Sequence, residues 1–474
     1  MEFQGRCRLR TALKRSPSMF NFRSLVPHAL TLVAMAASPV LARDLALPPH
    51  DQAPPRCGEE PMWEATIAKP PRRVCAADFG IFPLDGLATT DQGPALRAAL
   101  AQLEQQGAAL FLPSGRYAFA GELLVPGGSG LIGSPTGNTR LRSAGPVPAR
   151  ITTDASASSG VLIEGLQLYN TRIEVNGKYP ATVRWNGLVG TVGREAQIVA
   201  RGPHTVDGNV LWRSQDEPGF GIDLRTAGDT AGVTASDTAG APADAEAPQV
   251  SITRNLIGAI DADQNPVRSA PDIAPPTRAM LKAMSASPSD NAEYQGHYLV
   301  AIRSMSQAPI EMAYNQIAVS AAGPASAHSP RAAAQILSPR DLTLWRNSFE
   351  GIGFKANEDP AVVIDMPSNT SIDENRFTRV PLILTRSGLT SGPIKKTRIW
   401  DNRLNHTSME IRVAVNGMAA QQTSPDDVEI RANRFWVPPR CALTMRQPEA
   451  GTRNFTTIAN HDDFSNEEVV PCLR

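Results

Sequence analysis

Leu342-Thr-Leu-Trp-Arg-Asn347-Ser-Phe349, Thr370-Ser-Ile-Asp-Glu-Asn375-Arg-Phe377 and Thr397-Arg-Ile-Trp-Asp-Asn402-Arg-Leu404 are three copies of one phrase. Each has apolar or small residues two apart, then Asn, then another apolar residue. Further copies are Val250-Ser-Ile-Thr-Arg-Asn255-Leu-Ile257, Ile310-Glu-Met-Ala-Tyr-Asn315-Gln-Ile317 and Val428-Glu-Ile-Arg-Ala-Asn433-Arg-Phe435. The Asn-to-Asn spacings are 60, 32, 28, 27 and 31, so the first reads as a double period. Alternating apolar residues mark a strand with one buried face. Asn tolerates left-handed backbone and bonds local backbone groups, so it marks a sharp turn. A fixed period of this length means a solenoid, in which each repeat is buried only against its neighbours. The expected fold is all-β, a parallel β-helix, with the Asn side chains stacked in a hydrogen-bonded ladder. Weaker copies around Asn186 and Asn209 extend the series backwards, whereas residues 161–168 carry Leu166 in place of Asn.

The 474 residues include 40 Pro and 36 Gly, with 19% charged and 5% aromatic residues. This composition suits many short strands and turns. Residues 6–23 are basic, 25–37 apolar, and Val40-Leu-Ala42 resembles a cleavage site, so residues 1–42 read as a secretory signal; translation starting at Met19 would shorten its basic lead. The apolar stretch is short for a membrane span, and no other candidate span is found. Removal of residues 1–42 leaves 40 basic and 45 acidic residues, a net charge of −5. That balance provides no global field for nucleic acid. Residues 43–72 are Pro-rich and irregular. The exported chain keeps Cys57, Cys75, Cys441 and Cys472, which allow three pairings. The expected pairs are Cys57–Cys75 and Cys441–Cys472, one clip at each end of a solenoid spanning residues 73–440, with 441–474 as a C-terminal cap.

Ahead of the repeats stand Asp78-Phe79-Gly80, Asp85-Gly86, Thr90-Asp91, a helical run placing Leu96, Ala99, Leu100 and Leu103 on one face, and Leu112-Pro-Ser-Gly115-Arg-Tyr117. Such a helix would cap the first coil and keep its edge from pairing. The order of these elements resembles the opening segment of the pectate-lyase-like superfamily of right-handed single-stranded β-helix proteins. That resemblance implies a right-handed solenoid and a polysaccharide as partner. It does not specify the reaction, because the superfamily holds lyases, hydrolases, epimerases and tailspike domains. Asp78, Asp85 and Asp91 read as capping and turn residues.

Two stretches interrupt the period: 226–249, rich in Ala, Gly, Thr and Asp, and 264–293, rich in Pro and Ser around a short amphipathic piece at 277–284. Both read as flexible insertions. Each follows a similar strand (221–225 and 259–263), and if those strands share a sheet both insertions wall one flank. Counting eight residues past Asn255, Asn347 and Asn402 nominates Asp263, Lys355 and Glu410 as an outward column, with Asp261 and Arg412 pointing the same way. Asp223, Arg225 and Arg303 lie on strands whose register is open. Elimination on a uronic-acid polymer requires neutralising the carboxylate and taking the adjacent proton. Lys355 or Arg303 is the candidate base, and Asp261 with Asp263 the candidate Ca²⁺ ligands. Hydrolysis would instead use two carboxylates from Asp261, Asp263 and Glu410. A non-catalytic glycan binder is the third reading, with Trp345 and Trp400 as an exposed stacking pair two coils apart. Tyr298, beside the second insertion, is a further candidate for substrate contact. The expected partner is a polysaccharide, without nucleic acid or a stable membrane span, and the expected location is secreted or periplasmic.

Overall fold

The computed structural model describes Cys57 and most of residues 72–473. Residues 1–56 and 58–71, the connections 226–248, 259–273, 286–293, 321–331, 355–359, 387–393, 414–425, 437–440 and 447–452, and a few shorter stretches lie outside the description. The expected signal segment and Pro-rich stretch therefore fall almost wholly outside it.

The chain winds into three long parallel sheets of 13, 14 and 12 strands, here called A, B and C in the order the chain visits them. Each coil contributes one strand to each sheet, and every strand pairs with its counterpart one coil on, as Leu344 does with Ile372 and Ile372 with Ile399. The fold is a right-handed parallel β-helix, the hand that parallel strand–crossover–strand connections adopt. Inward residues of the three sheets form one continuous core along the axis, including stacked Phe349 and Phe377 rings 5.2 Å apart. Helix α1 (Gly93–Glu104) covers the first coil, burying Leu96, Ala99, Leu100 and Leu103 as their spacing predicts. Asp91 Oδ1 accepts bonds from the Gly93 and Ala120 amides, the turn role expected for it. Disulfides join Cys57 to Cys75 and Cys441 to Cys472, the expected pairs. Among the described residues no helix is long and apolar enough to cross a membrane.

The Asn ladder runs through nine coils: Asn186, Asn209, Asn255, Asn315, Asn347, Asn375, Asn402, Asn433 and Asn460. Asn255 bonds directly to Asn315, so their spacing of 60 residues is one coil enlarged by an insertion, not two periods. Asn460 is a rung beyond 440, and sheets A, B and C all continue past that point. His461 is therefore part of a coil rather than of a terminal loop.

The left-handed residue at the corner is the one before each Asn, at Trp185, Arg254, Tyr314, Arg346, Glu374, Asp401, Ala432 and Ala459. The Asn itself anchors the turn through its amide, and this support offsets the strain at its neighbour. For L-residues that conformation costs about 1–2 kcal/mol, part of which glycine returns as lost chain freedom. Ala432→Gly is expected to raise stability by about 0.5–1 kcal/mol in thermal unfolding. A drop in stability would show that the corner is not strained.

Helix α2 (Pro275–Ser285), inside the second insertion, lies on the outer face of sheet B. Met280, Leu281 and Met284 pack there against Val189, Val210, Trp212 and Leu256. Thr277 Oγ1 donates to the Gly208 carbonyl, and a Cβ at Gly187 would sit 2.4 Å from Met284 Sδ. The amphipathic piece read from the sequence is thus an ordered patch over the solenoid wall.

Candidate functional site

Among the described residues, six of the ten ion pairs lie on the outer face of sheet C between Glu122 and Arg303. Strand Thr171–Asn176 alternates apolar residues into the core with Arg172, Glu174 and Asn176 outward. Register then aligns Glu174, Val199, Asp223 and Arg303 in one column, and Asn176, Arg201 and Arg225 in the next. Asp223 is buried and receives Arg303 through two bonds of 2.8 and 2.6 Å, with Arg225 adding a third of 2.8 Å. The Arg303 guanidinium also sits 3.9 Å from the centre of the Phe220 ring. Arg201 bonds both Glu174 and Asn176, Arg172 pairs with Glu174 and Glu195, and Arg150 pairs with Glu122 at 2.9 Å.

Among the described residues the ion pairs of this face engage five arginines (Arg150, Arg172, Arg201, Arg225, Arg303) and four carboxylates (Glu122, Glu174, Glu195, Asp223), and a fifth carboxylate, Asp154, follows the adjacent strand Ala149–Thr153. This crowding acts on Arg172. Burial lowers its proton affinity, Glu174 opposes this, and Arg150, Arg201 and Arg225 lower it further. Burial pushes the Glu174 carboxyl up, but Arg201 and Arg172 outweigh it and hold the group below its ordinary range. The face is thus a bed of ionised, mutually paired groups rich in arginine.

The strands that flank the two insertions join this face at opposite strand ends. The connection 226–248 leaves the end of strand Gly219–Arg225 in sheet C. The second insertion leaves sheet B after Leu256–Ile257 and returns the chain to sheet C at Tyr298–Ser304, the next rung. Residues 221–225 belong to sheet C, whereas 259–263, read from the sequence as the matching strand, lie outside the described residues. Asp261 and Asp263, the candidate Ca²⁺ ligands, lie outside the described residues. Among the described residues no group of three or more His, Cys, Asp or Glu is arranged to hold a metal ion.

Of the proposed outward column of Asp263, Lys355 and Glu410, only Glu410 is among the described residues. Lys355 lies outside the described residues, in the connection from sheet B strand Ser348–Ile352 to sheet C strand Ala361–Asp365. In the coil of Glu410 the corresponding connection is only three residues, 406–408. The connection from sheet B to sheet C thus varies in length between coils. Glu410 is in sheet C, paired with Arg412, and its column continues through Ile383, Val363 and Gln335 to Arg303. Four rungs at about 4.8 Å each separate Glu410 from Arg303 by roughly 19 Å, too far to act together.

Tyr298 is no groove residue. Its side chain is fully buried, its hydroxyl donates to Gln197 Oε1 at 3.0 Å, and burial pushes its phenol far above the ordinary value. Its alternating strand pattern points it inward. Trp345 and Trp400 occupy one outward column of sheet A, two rungs apart, with Asp373 between them. Both are half-buried rather than exposed, and their rings are partly occupied by their own neighbours. Tyr314 meets Trp345 edge-on at 5.0 Å, Arg346 lies 4.6 Å from the same ring, and Arg398 lies 5.4 Å from Trp400. Burial, then Glu374 and Asp401, raise the Asp373 carboxyl above its ordinary value. Arg172, Glu174 and Arg201 were not singled out from the sequence, although the run Arg172-Ile-Glu174-Val-Asn176 carries the alternation that exposes them.

No protein-family model matches the chain, and no curated protein does. Among solved structures it is similar to the Streptococcus pneumoniae surface protein and adhesin PfbA, at 11% identity over 85% of this chain and 100% of that one, with a TM-score of 0.50. It also matches tailspike protein 3 of bacteriophage CBA120, at 12% identity over 84% of this chain and 59% of that one, with a TM-score of 0.46. A third match is the catalytic unit of the thermostable GH87 alpha-1,3-glucanase of Streptomyces thermodiastaticus strain HF3-3, at 12% identity over 83% and 69%, with a TM-score of 0.38. At these identities the likeness shows the fold alone, and it is the adhesin match that carries it.

Proposed function

We propose that the protein is an exported β-helix that binds an acidic polysaccharide on the outer face of sheet C. One observation carries this reading: a face dense in ionised arginines lies where the two long insertions join neighbouring strands. A uronic-acid polymer offers one carboxylate per acidic sugar, which arginine can take up bidentately. Two disulfides support export to an oxidising compartment. The likeness of residues 74–133 to the opening segment of pectate-lyase-like proteins agrees with a glycan partner.

Eliminative cleavage is the chemistry expected from the sequence. In that reading Arg303, Arg225 and Arg172 neutralise the substrate carboxylate, which acidifies the neighbouring C–H. Lys355 remains its proposed base, and Asp261 with Asp263 its proposed Ca²⁺ ligands. Hydrolysis by a carboxylate pair on sheet C is disfavoured, because Glu174 is held ionised and Asp223 is engaged by two arginines, leaving neither to donate a proton.

The test is incubation of the purified protein with polyuronates and with neutral polysaccharides, following binding, ultraviolet absorbance of unsaturated products, and reducing ends separately. Absorbance gain on polyuronates supports the lyase; reducing ends alone support a hydrolase; binding alone supports a lectin-like role. Arg225→Gln is expected to weaken polyuronate binding about ten-fold, roughly 1.4 kcal/mol, with unfolding little changed because Arg303 still satisfies Asp223. Unchanged affinity would remove sheet C from the binding surface.

A further inference from the structure

The outer face of sheet B divides into two unlike halves. Over the middle coils its outward residues are apolar, and α2 covers them. Over the last coils the same column reads Arg376, Arg403, Arg434 and His461, one per rung. All four are exposed. Among the described residues no carboxylate pairs with any of the three arginines, although nine other arginines are paired. Arg379 and His406 stand exposed at the next corner, and Trp436, half of whose surface is open, lies two residues past Arg434. The acidic neighbours mark its limits. Glu350 lies one rung before Thr378 in the adjacent column, Glu374 and Asp401 sit on the Asn corner facing sheet A, and Glu468 pairs in register with His461 at the C-terminal end.

Like charges on adjacent strands repel one another, so this stack costs stability while it stands unneutralised. We propose that it is a second polymer site, in which a linear polyuronate lies along the solenoid axis with successive carboxylates on Arg376, Arg403 and Arg434 and a sugar ring on Trp436. The rungs repeat every ~4.8 Å, close to the length of one pyranose, so the column keeps step with the polymer, and the long arginine side chains reach carboxylates that turn about the chain axis. A nucleic acid fits less well. Single strands are held by a basic groove with an aromatic platform for successive bases, and this face offers one exposed tryptophan on a chain with no positive net charge.

The site is distinct from the sheet C face, and the kind of polymer rests on the reading of the protein as a glycan binder. The experiment uses the full chain with polygalacturonate, its carboxyl-reduced neutral form, and a single-stranded oligodeoxynucleotide. The variants are R376Q/R403Q/R434Q on sheet B and R225Q on sheet C. With the wild-type chain, polygalacturonate is expected to raise the unfolding temperature, and its binding to weaken with salt. The triple variant should unfold at a temperature equal to or higher than wild type, lose at least ten-fold in polygalacturonate affinity, and show a flatter salt dependence. The remaining binding should be that removed by R225Q. A triple variant that binds polygalacturonate like wild type overturns the second site while leaving the sheet C reading intact. Equal binding of the carboxyl-reduced polymer overturns charge recognition. Oligonucleotide binding that is stronger than polygalacturonate binding and lost in the triple variant overturns the glycan assignment. A wild-type chain that binds neither polymer overturns both readings together.

Discussion

Asn375→Ala is expected to lower the stability of the solenoid by about 2–6 kcal/mol, the sum of two buried backbone groups left unsatisfied at ~1–3 kcal/mol each. Asn375 Nδ2 donates to the Leu344 carbonyl at 2.8 Å, to the Asp373 carbonyl at 3.0 Å and to Asn402 Oδ1 at 3.0 Å. Its Oδ1 accepts from the backbone and side-chain amides of Asn347 at 2.9 and 3.0 Å. Alanine leaves the Leu344 carbonyl and the Asn347 amide buried with no water to replace the lost partner. It also withdraws the support for left-handed Glu374. Because each coil contacts only its neighbours, the damage falls on one interface, and unfolding should split into two transitions. Urea denaturation followed by far-ultraviolet circular dichroism reads both effects. A cost below ~1 kcal/mol would mean that the ladder is ornamental and the apolar core alone sets the stability. Asn460 has a ladder neighbour on one side only, so Asn460→Ala should cost less.

Arg303→Ala is expected to cost about 3 kcal/mol, the lower end of what breaking a buried pair costs. Arg303 donates to both oxygens of Asp223, whose side chain is 1% exposed, and covers the Phe220 ring. The lower end applies because Arg225 still reaches the stranded carboxylate. The double variant R303A/D223A should recover much of that loss, since no charge then remains buried. Polyuronate binding separates the two roles. If Arg303 contacts the ligand, the double variant regains stability without regaining affinity; recovery of both would make Arg303 purely structural. Arg303→Lys should restore neither fully, because an ammonium cannot match a carboxylate through two parallel bonds.

Much of this architecture was readable one residue at a time. V-x-I spacing, the Asn after it and the apolar residue two further on are local facts, and each coil repeats them. The pairing of Cys57 with Cys75 and of Cys441 with Cys472 follows from where exposed coil ends must lie. The Arg column of sheet B was also visible, since Arg follows Asn375, Asn402 and Asn433 directly. Its meaning was hidden because a charge after a turn ordinarily faces water and needs no further account. The left-handed residue was misplaced by one, since propensity favours Asn there, while the buried ladder demands Asn for its amide and leaves strain to whichever residue precedes it.

The sheet C face was legible only in fragments. Asp223 and Arg303 are 80 residues apart, and no local rule says that an enlarged coil between them still advances the stack by one rung. Glu410 and Lys355 stand at equal distances past their Asn, yet the stretch between the sheet B and sheet C strands is three residues long in one coil and eight in the other, so equal spacing does not fix equal register. Sequence by itself determined the element that repeats, its inward and outward sides and the ends that need closing, because these depend on burial and hydrogen bonding within one coil. Only the tertiary structure decided which outward charges become neighbours. Lateral register is set by backbone pairing between coils, and the lengths of the corners, not the repeat, determine where each strand begins.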